Sequence, residues 1–548
     1  TPEWFRTGVM YQIFPDRFAR DSSATAQRGM EHHRRMGQTV HCHAGWDEPV
    51  EWQANTPEGE YAPVDFYGGT LRGIADRLHY LQKLGVTVLY LNPIFESASN
   101  HRYDTGDYRK VDPILGTNAD FKKLCAAAAD CGIRIVLDGV FAHTGADSRY
   151  FNRFRHYPGC GAYNSHSSVY ARWYSFAHYP DDYKCWWDFK DLPAVNAANP
   201  DWRKYMITGE RSIVKTWLRD GASGWRLDVA DELPDDVLRG MRSAAKEADP
   251  DSVLLGEVWE DAVTKVSYGE RRQYALGDAL DSVMNYPLRD GLVTFLTGRS
   301  TARALSDLLL SQRLNYPRPL YYALMNLTAS HDVARTRSAL ALDFDPRSRT
   351  RAELAALEIT DAMAARGAQL QVLAAAVQFW LPGIPSIYYG DETGMQGLCD
   401  PFNRAPLQMC DTQMLQWYAQ LTALRHAHPA LTRGEVAVFA PAGDVLCVLR
   451  VIADGRDAFG EEAEDEALLL IVNRAAHPVR CHVELTCPGA GLCEETRLAF
   501  VRSEYDCAAD CTDDTHIAIR DGVGAFDLPP HAAKIYRLEN RHGTETGS

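Results

Sequence analysis

A chain of 548 residues exceeds what one compact core can bury, so one large domain with smaller satellites is expected. With 73 acidic against 57 basic residues the formal net charge is −16, which argues against nucleic acid or anionic membrane as a partner and favours a neutral substrate. No apolar run reaches the ~20 residues of a membrane span; the longest, around Leu370–Trp380, carries glutamines and reads as a buried helix.

The first residues, Thr1-Pro-Glu-Trp-Phe-Arg6, show no basic-plus-apolar leader pattern. The 13 cysteines are odd in number and scattered, and six of them (447, 481, 487, 493, 507, 511) fall in the last hundred residues. None has zinc-ligand spacing, and Cys507 with Cys511 comes closest, so reduced thiols in a cytoplasmic protein are expected, with a processed, disulfide-bonded exported form as the alternative.

Val9–Pro15 is an apolar strand. A polar stretch from about 20 to 65 follows, whose His32, His33, His41, Cys42 and His43 match no usual ligand set, so a solvated loop is expected there. A helix over about 71–84 ends at Gly85, a good C-cap, and the strand Val86–Asn92 follows. The alternation then repeats: helix Asp120–Asp130 and strand Ile133–Val140, helix Pro200–Asp220 and strand 224–228, helix Pro234–Ala248 and strand Val253–Val258. Further strands are expected at Ser282–Asn285, Leu324–Leu327 and Ser386–Tyr389. Eight short apolar strands, mostly alternating with helices, predict an α/β fold, a (β/α)8 TIM barrel, over 1–143 and 200–431.

Between the third strand and the helix near 200 lies an aromatic-rich insertion, 144–199, with Trp173, Trp186 and Trp187; a loop this long is usually functional. Beyond about 432 the pattern becomes alternating strands (Val445–Val451, Ala467–Val472, Val479–Leu485, Lys534–Leu538), which predicts a C-terminal antiparallel β-sandwich over 432–540 and a disordered tail, 541–548.

Catalytic groups of such barrels sit at the C-terminal ends of the strands. Four clusters fall there: Asp138-Gly-Val-Phe-Ala-His143, Gly224-Trp-Arg-Leu-Asp228, Gly256-Glu-Val-Trp259 and Ser330-His-Asp332. On its strand alone the Arg226–Asp228 pair reads equally as a structural ion pair or as a functional carboxylate held ionised by the arginine. Retaining glycoside hydrolysis needs an ionised nucleophile and a protonated acid on either side of an anomeric carbon. Asp228 suits the first, and Glu257, beside Trp259 at the end of an apolar strand, suits the second. Asp332 is placed to bind sugar hydroxyls, and His143 and His331 to donate hydrogen bonds to them.

In these motifs the chain resembles glycoside hydrolase family 13, the α-amylase family, and within it the neopullulanase, cyclomaltodextrinase and maltogenic amylase group. Tyr11–Phe18, His101-Arg-Tyr-Asp-Thr-Gly-Asp-Tyr108, Val283-Met-Asn-Tyr-Pro287 and Gly383–Glu392 carry that likeness. The resemblance implies Asp228 as nucleophile, Glu257 as acid/base and Asp332 as transition-state stabiliser. It implies that His101, Tyr103, His143, Arg226 and His331 hold the sugar at the cleavage point, with Tyr103 stacked on its apolar face. Asp400 and Arg404 match a pair serving the next sugar toward the non-reducing end, and Trp259 an aromatic on the leaving-group side.

Two departures bear on calcium: Ala142 stands where the family usually has Asn, and the loop after Phe18 lacks an Asn/Asp-rich run, so no cofactor is required and calcium stays open without its usual ligand pattern. Ser330 replaces the usual Asn of the fourth motif. The barrel begins at about residue 8, without the extra N-terminal β-domain through which many neopullulanase-type enzymes dimerise; monomer and homodimer both stay open. The implied function is a retaining α-glucan hydrolase acting on α-1,4 bonds of maltooligosaccharides, cyclodextrins or pullulan, with α-1,6 bonds left open as additional targets. A transglycosylase using the same covalent intermediate is the alternative; a non-catalytic scaffold is disfavoured because all three carboxylates are present.

Overall fold

The computed structural model describes residues 1–57, 59–485, 498–506, 519–520 and 523–540. Cys487, Cys493, Cys507, Cys511 and the tail 541–548 lie outside the described residues, and the nine described cysteines are all free.

Eight parallel strands form the central sheet: β1 (Met10–Ile13), β2 (Val88–Leu91), β3 (Arg134–Gly139), β4 (Gly224–Leu227), β5 (Val253–Gly256), β6 (Ser282–Val283), β7 (Met325–Leu327) and β8 (Ile384–Tyr388). Each pairs with its neighbour in the chain, and β8 pairs with β1. A parallel bridge between Met284 and Met325 joins β6 to β7, so the sheet closes into a (β/α)8 barrel.

Alternation decides what each strand turns inward. Met10, Val88, Tyr90, Val136, Val253, Leu255, Met325, Leu327 and Ile384 pack together as one buried interior cluster. The residues between them, such as Leu89, Leu91, Ile135, Leu137, Trp225 and Leu254, join the larger core beneath the surrounding helices. Buried on both faces, the strands read as continuous apolar runs. Helix Asn118–Asp130 starts in a Thr117–Asp120 capping box, and Gly85 and Gly132 leave their helices in the left-handed region (φ 81° and 73°).

The long helix Asp361–Trp380 is buried over its second half, where Gln378 donates to the carbonyls of Asn326 and Ser386. No described helix is long and apolar enough to cross a membrane.

The structure departs from expectation in three places. The helix expected over Pro200–Asp220 is interrupted: Pro200–Arg203 runs into one π-helical stretch, Lys204–Thr208, and a new helix starts at Ile213 behind the cap Ser212. The helix expected over 71–84 is two, Leu71–Asp76 and Leu78–Lys83. The stretch from 20 to 65 is not a solvated loop. It holds the helix Thr25–Arg35 and a short strand, His41–Cys42, paired with Asp65–Phe66. There His33 is buried 3.2 Å from Asp112, and His43 stacks on Tyr67 between Glu48 and Asp65.

Residues 144–199 carry little regular structure beyond the hairpin Phe176–His178/Asp182–Tyr183, and cohere through rings: Phe151 contacts Tyr163, Tyr174, Phe176 and Tyr183. The C-terminal strands are β9 (Glu435–Ala442), β10 (Val445–Ile452), β11 (Glu466–Asn473), β12 (Val479–Glu484), β13 (Leu498–Asp506), β14 (Ile519–Arg520), β15 (Val523–Leu528) and β16 (Ala532–Asn540). They form a five-stranded sheet β9-β10-β11-β16-β13 and a three-stranded sheet β12-β15-β14. One face of β10 and β11 (Val445, Cys447, Leu449, Leu469, Ile471) packs on Cys481, Val483 and Phe526 of the second sheet, and the other joins the barrel core. Arg450, on that barrel-facing side, donates to the carbonyls of Trp380, Leu431 and Gly434 and ties the two parts together.

Candidate active site

The inward phase of each strand, continued past its C-terminal end, builds the site. On β4 it runs Gly224, Arg226, Asp228, and on β5 Val253, Leu255, Glu257. The register sets Arg226 directly beside Asp138 of β3. The fully buried guanidinium touches three carboxyls: Nη1 lies 2.8 Å from both Asp138 and Asp228, and Nη2 lies 2.7 Å from Glu257. Asp138 also accepts from the Tyr90 hydroxyl (2.7 Å) and the Tyr103 hydroxyl (2.8 Å).

Glu257 is fixed at both oxygens. Trp259 Nε1 donates to one at 3.0 Å and the Val229 amide to the other at 2.8 Å. To aim that amide, Val229 adopts φ 37°, ψ 61°, a left-handed conformation that costs a β-branched residue about 1–2 kcal/mol. Trp259 stacks flat on Tyr286 (3.8 Å, 7°), whose hydroxyl donates to Asp332 at 3.3 Å.

His331 completes the cluster. Gln12 Nε2 lies 2.9 Å from its Nδ1, while its Nε2 lies 2.5 Å from the Tyr103 hydroxyl and 3.2 Å from Asp332. With Nδ1 accepting from Gln12, Nε2–H points at Tyr103 and Asp332, and the Tyr103 hydroxyl hands its own hydrogen to Asp138. Both nitrogens of His331 are thus engaged by the protein. His143 donates from Nε2 to the Tyr103 carbonyl (3.1 Å), leaving a buried Nδ1 without a partner among the described residues. His101 Nδ1 accepts from the Tyr103 amide at 3.0 Å. Burial keeps all three imidazoles neutral, with His101 lowered to about 3, His143 to about 4 and His331 well below its usual range.

Arg404 binds the His331 carbonyl through Nε and Nη2 (3.1 and 3.0 Å) and pairs with Asp400 at 2.8 Å. All eleven residues singled out in the sequence therefore meet at this end of the barrel or on the loops bordering it.

The charge balance differs from the simple pairing read in the sequence. One guanidinium serves three carboxyls, with Asp332 close by. Burial, then Glu257 and Asp138, raise Asp228 well above the usual carboxylate range against the opposing pull of Arg226. Asp332 is pushed up to about 7 by burial and then by Glu257. One guanidinium cannot neutralise three buried carboxylates with the partly exposed Asp332 beside them, so the cluster retains protons near neutral pH.

Sequence reasoning missed Gln12, Tyr90, Asn92, Tyr286 and Asn403. The Asn92 amide donates to the Tyr103 hydroxyl (2.9 Å), and the Asn403 amide lies 2.9–3.1 Å from the carbonyls of Ser330, His331 and Val333 and shapes the loop that carries Asp332. The signal for Gln12, Tyr90 and Asn92 was a polar group on the inward phase at the end of an apolar strand.

No group of three or more His, Cys, Asp or Glu converges as a metal site among the described residues. In the loop after Phe18, the Arg20 guanidinium donates to the carbonyls of Tyr67, His43 and Ala44 (2.6, 3.1 and 3.2 Å), so those oxygens already face a cation.

A closed (β/α)8 barrel with carboxyls gathered at its C-terminal mouth is an architecture that glycoside hydrolases share with many other enzymes. Residues 12–406 match the family described as "Alpha amylase, catalytic domain", and the chain belongs to that family. It is 36% identical to an amylopullulanase of Thermoanaerobacterium thermosulfurigenes over 89% of its own length and 27% of that protein's. It is 32% identical to a cyclomaltodextrinase of Geobacillus thermopakistaniensis, covering 86% of this chain and 70% of the other. The chain thus spans about a quarter of the amylopullulanase it matches. Among solved structures it resembles the cyclic α-maltosyl-(1→6)-maltose hydrolase of Arthrobacter globiformis (TM-score 0.70, 27% identity, 98% of this chain and 100% of that one).

Proposed function

We propose that the protein is a retaining α-glucan hydrolase. Asp228 attacks the anomeric carbon while Glu257 protonates the departing glycosidic oxygen, so that the C1–O bond breaks and a glycosyl–Asp228 ester forms. Glu257, now ionised, takes a proton from water, whose oxygen attacks C1 and frees Asp228. Asp332 and the neutral His101 and His143 bind hydroxyls of the reacting sugar, Tyr103 lies against its ring, and Arg404 with Asp400 meets the preceding sugar.

The observation that carries this reading is the shared guanidinium: Asp228 and Glu257, on consecutive strands, sit 2.8 and 2.7 Å from the two arms of Arg226. When Glu257 holds the proton, Arg226 supports Asp138 and Asp228 alone, which favours an ionised nucleophile. No calcium is needed in this reading, since Arg20 serves the loop after Phe18. Maltooligosaccharides, cyclodextrins and pullulan are the proposed substrates, consistent with relatives named for cyclomaltodextrin and pullulan, and a cytoplasmic location is proposed with them. Trp259 offers an acceptor sugar a flat surface beside Glu257, which favours some transglycosylation.

Proton NMR of the first products from maltotriose tests the proposal. The α-anomer is expected first, because two successive inversions at C1 restore its configuration, and Asp228→Asn is expected not to turn over, because it lacks the nucleophile. Initial release of the β-anomer, or near-normal activity in that variant, refutes the double displacement.

A further inference from the structure

Beyond Trp259 the rim of the site carries an exposed aromatic that the reaction just described does not use. Val266–Ser267 and Glu270–Arg271 pair as a tight hairpin whose two turn residues, Tyr268 (φ 54°) and Gly269 (φ 81°), both lie in the left-handed region. Such a turn favours Asn-Gly. A tyrosine there bears backbone strain and, at 77% exposure, recovers almost nothing by burial.

Anchoring does not explain Tyr268. The hairpin is already fastened to the residues following Asp228: Lys265 pairs with Asp231 (2.9 Å), the Tyr274 hydroxyl bonds Asp231 (2.5 Å), and Arg272 pairs with Asp235 (2.8 Å) and donates to the Asp231 carbonyl (2.6 Å). Tyr268 adds only its hydroxyl, which reaches both oxygens of Glu232 at 2.6 Å. That bond fixes the orientation of the ring while its faces stay open to solvent.

We propose that Tyr268 is a stacking platform for a glucose unit on the leaving-group side, beyond the one that meets Trp259. The inference rests on the retaining-hydrolase reading. Position gives the side. Asp400 and Arg404 follow β8, whereas Trp259 and the hairpin follow β5, so a glucan crossing from the first pair over Asp228 and Glu257 leaves past Trp259 toward Tyr268. Chemistry gives the ligand class: an open ring beside one carboxylate suits the apolar C–H face of a neutral pyranose, with Glu232 free to accept hydroxyls on its remaining lone pairs.

The test compares kcat/KM on maltohexaose, which has sugars to place beyond the cleavage point, with that on p-nitrophenyl α-maltoside, whose leaving group has none. Tyr268→Ala is expected to lower the ratio of the two by about 3- to 10-fold. Tyr268→Phe, which keeps the ring, should retain most of the ratio, and Val266→Thr on the same hairpin should leave it unchanged. An unchanged ratio in Tyr268→Ala, or an equal fall in Val266→Thr, overturns the proposal. A wild-type protein that hydrolyses neither substrate instead overturns the underlying reading of the site.

Discussion

Arg226→Met asks whether one guanidinium holds the site together. The substitution leaves Asp138, Asp228 and Glu257 within the same pocket without their shared cation, each having lain 2.7–2.8 Å from it. Removing one member of a buried ion cluster costs about 3–5 kcal/mol, and the three contacts do not add, because they share one charge. The loss depends on pH with a definite sign. Burial already raises the folded-state values of Asp138 and Asp228 above those of the unfolded chain, and without Arg226 they rise further. A raised carboxyl is fully tolerated below its unfolded value of about 3.9 and loses stability as pH rises through its folded one. The deficit of the variant is therefore expected near its full size at pH 8 and to shrink toward pH 5, where the orphaned carboxyls take up protons. Urea unfolding of wild type, Arg226→Met and Arg226→Lys at the two pH values measures it, with Lys intermediate because a compact ammonium cannot span three partners. A deficit below about 1 kcal/mol at pH 8 refutes the reasoning, as does an equal deficit at both pH values.

Two further variants probe the same network. Asp332, pushed up to about 7, makes no difference to stability near pH 4 and costs stability as pH rises to 7. Asp332→Asn should therefore lose turnover yet exceed wild type by about 1–3 kcal/mol at pH 8, with the two melting together near pH 4; no gain at pH 8 would show that the ionised form is comfortably housed. Tyr103→Phe keeps the ring against His331 (5.3 Å, 7°) but removes the hydroxyl linking Asp138, His331 and Asn92. Stability should fall by about 1–3 kcal/mol in urea unfolding, and kcat should fall further than KM rises; an unchanged kcat would exclude a positioning part for that hydroxyl.

The barrel was legible because its strands are short and apolar and follow helices that end at glycines, and because Arg226, Asp228, Glu257 and Asp332 fall at the strand ends. Less was legible where long-range contacts decide local form. The histidines between 20 and 65 suggest a solvated loop, yet His33 finds Asp112, 79 residues away, and the segment folds around such pairs. The first C-terminal strand, Glu435–Ala442, escaped notice because none of its residues but Val436 is fully buried, while its neighbour Val445–Ile452 is buried throughout. The electrostatics misled in a different way. Two residues read along one strand suggest a private arginine–carboxylate pair, but the barrel brings Asp138 and Glu257 from the flanking strands to the same guanidinium.

Val229 is where local preference and site geometry conflict most openly. A β-branched residue closing an apolar strand should continue in extended conformation, and a left-handed turn would ordinarily take glycine or asparagine. The strain has two consequences on opposite sides of the same peptide. Its amide turns back to hold Glu257, while the chain beyond it bends outward so that Asp231, Glu232 and Asp235 meet Lys265, Tyr268 and Arg272 of the hairpin. One unfavourable residue thus joins the nucleophile's strand, the acid and the outer rim, and the position of the rim is set by the same turn that sets the chemistry.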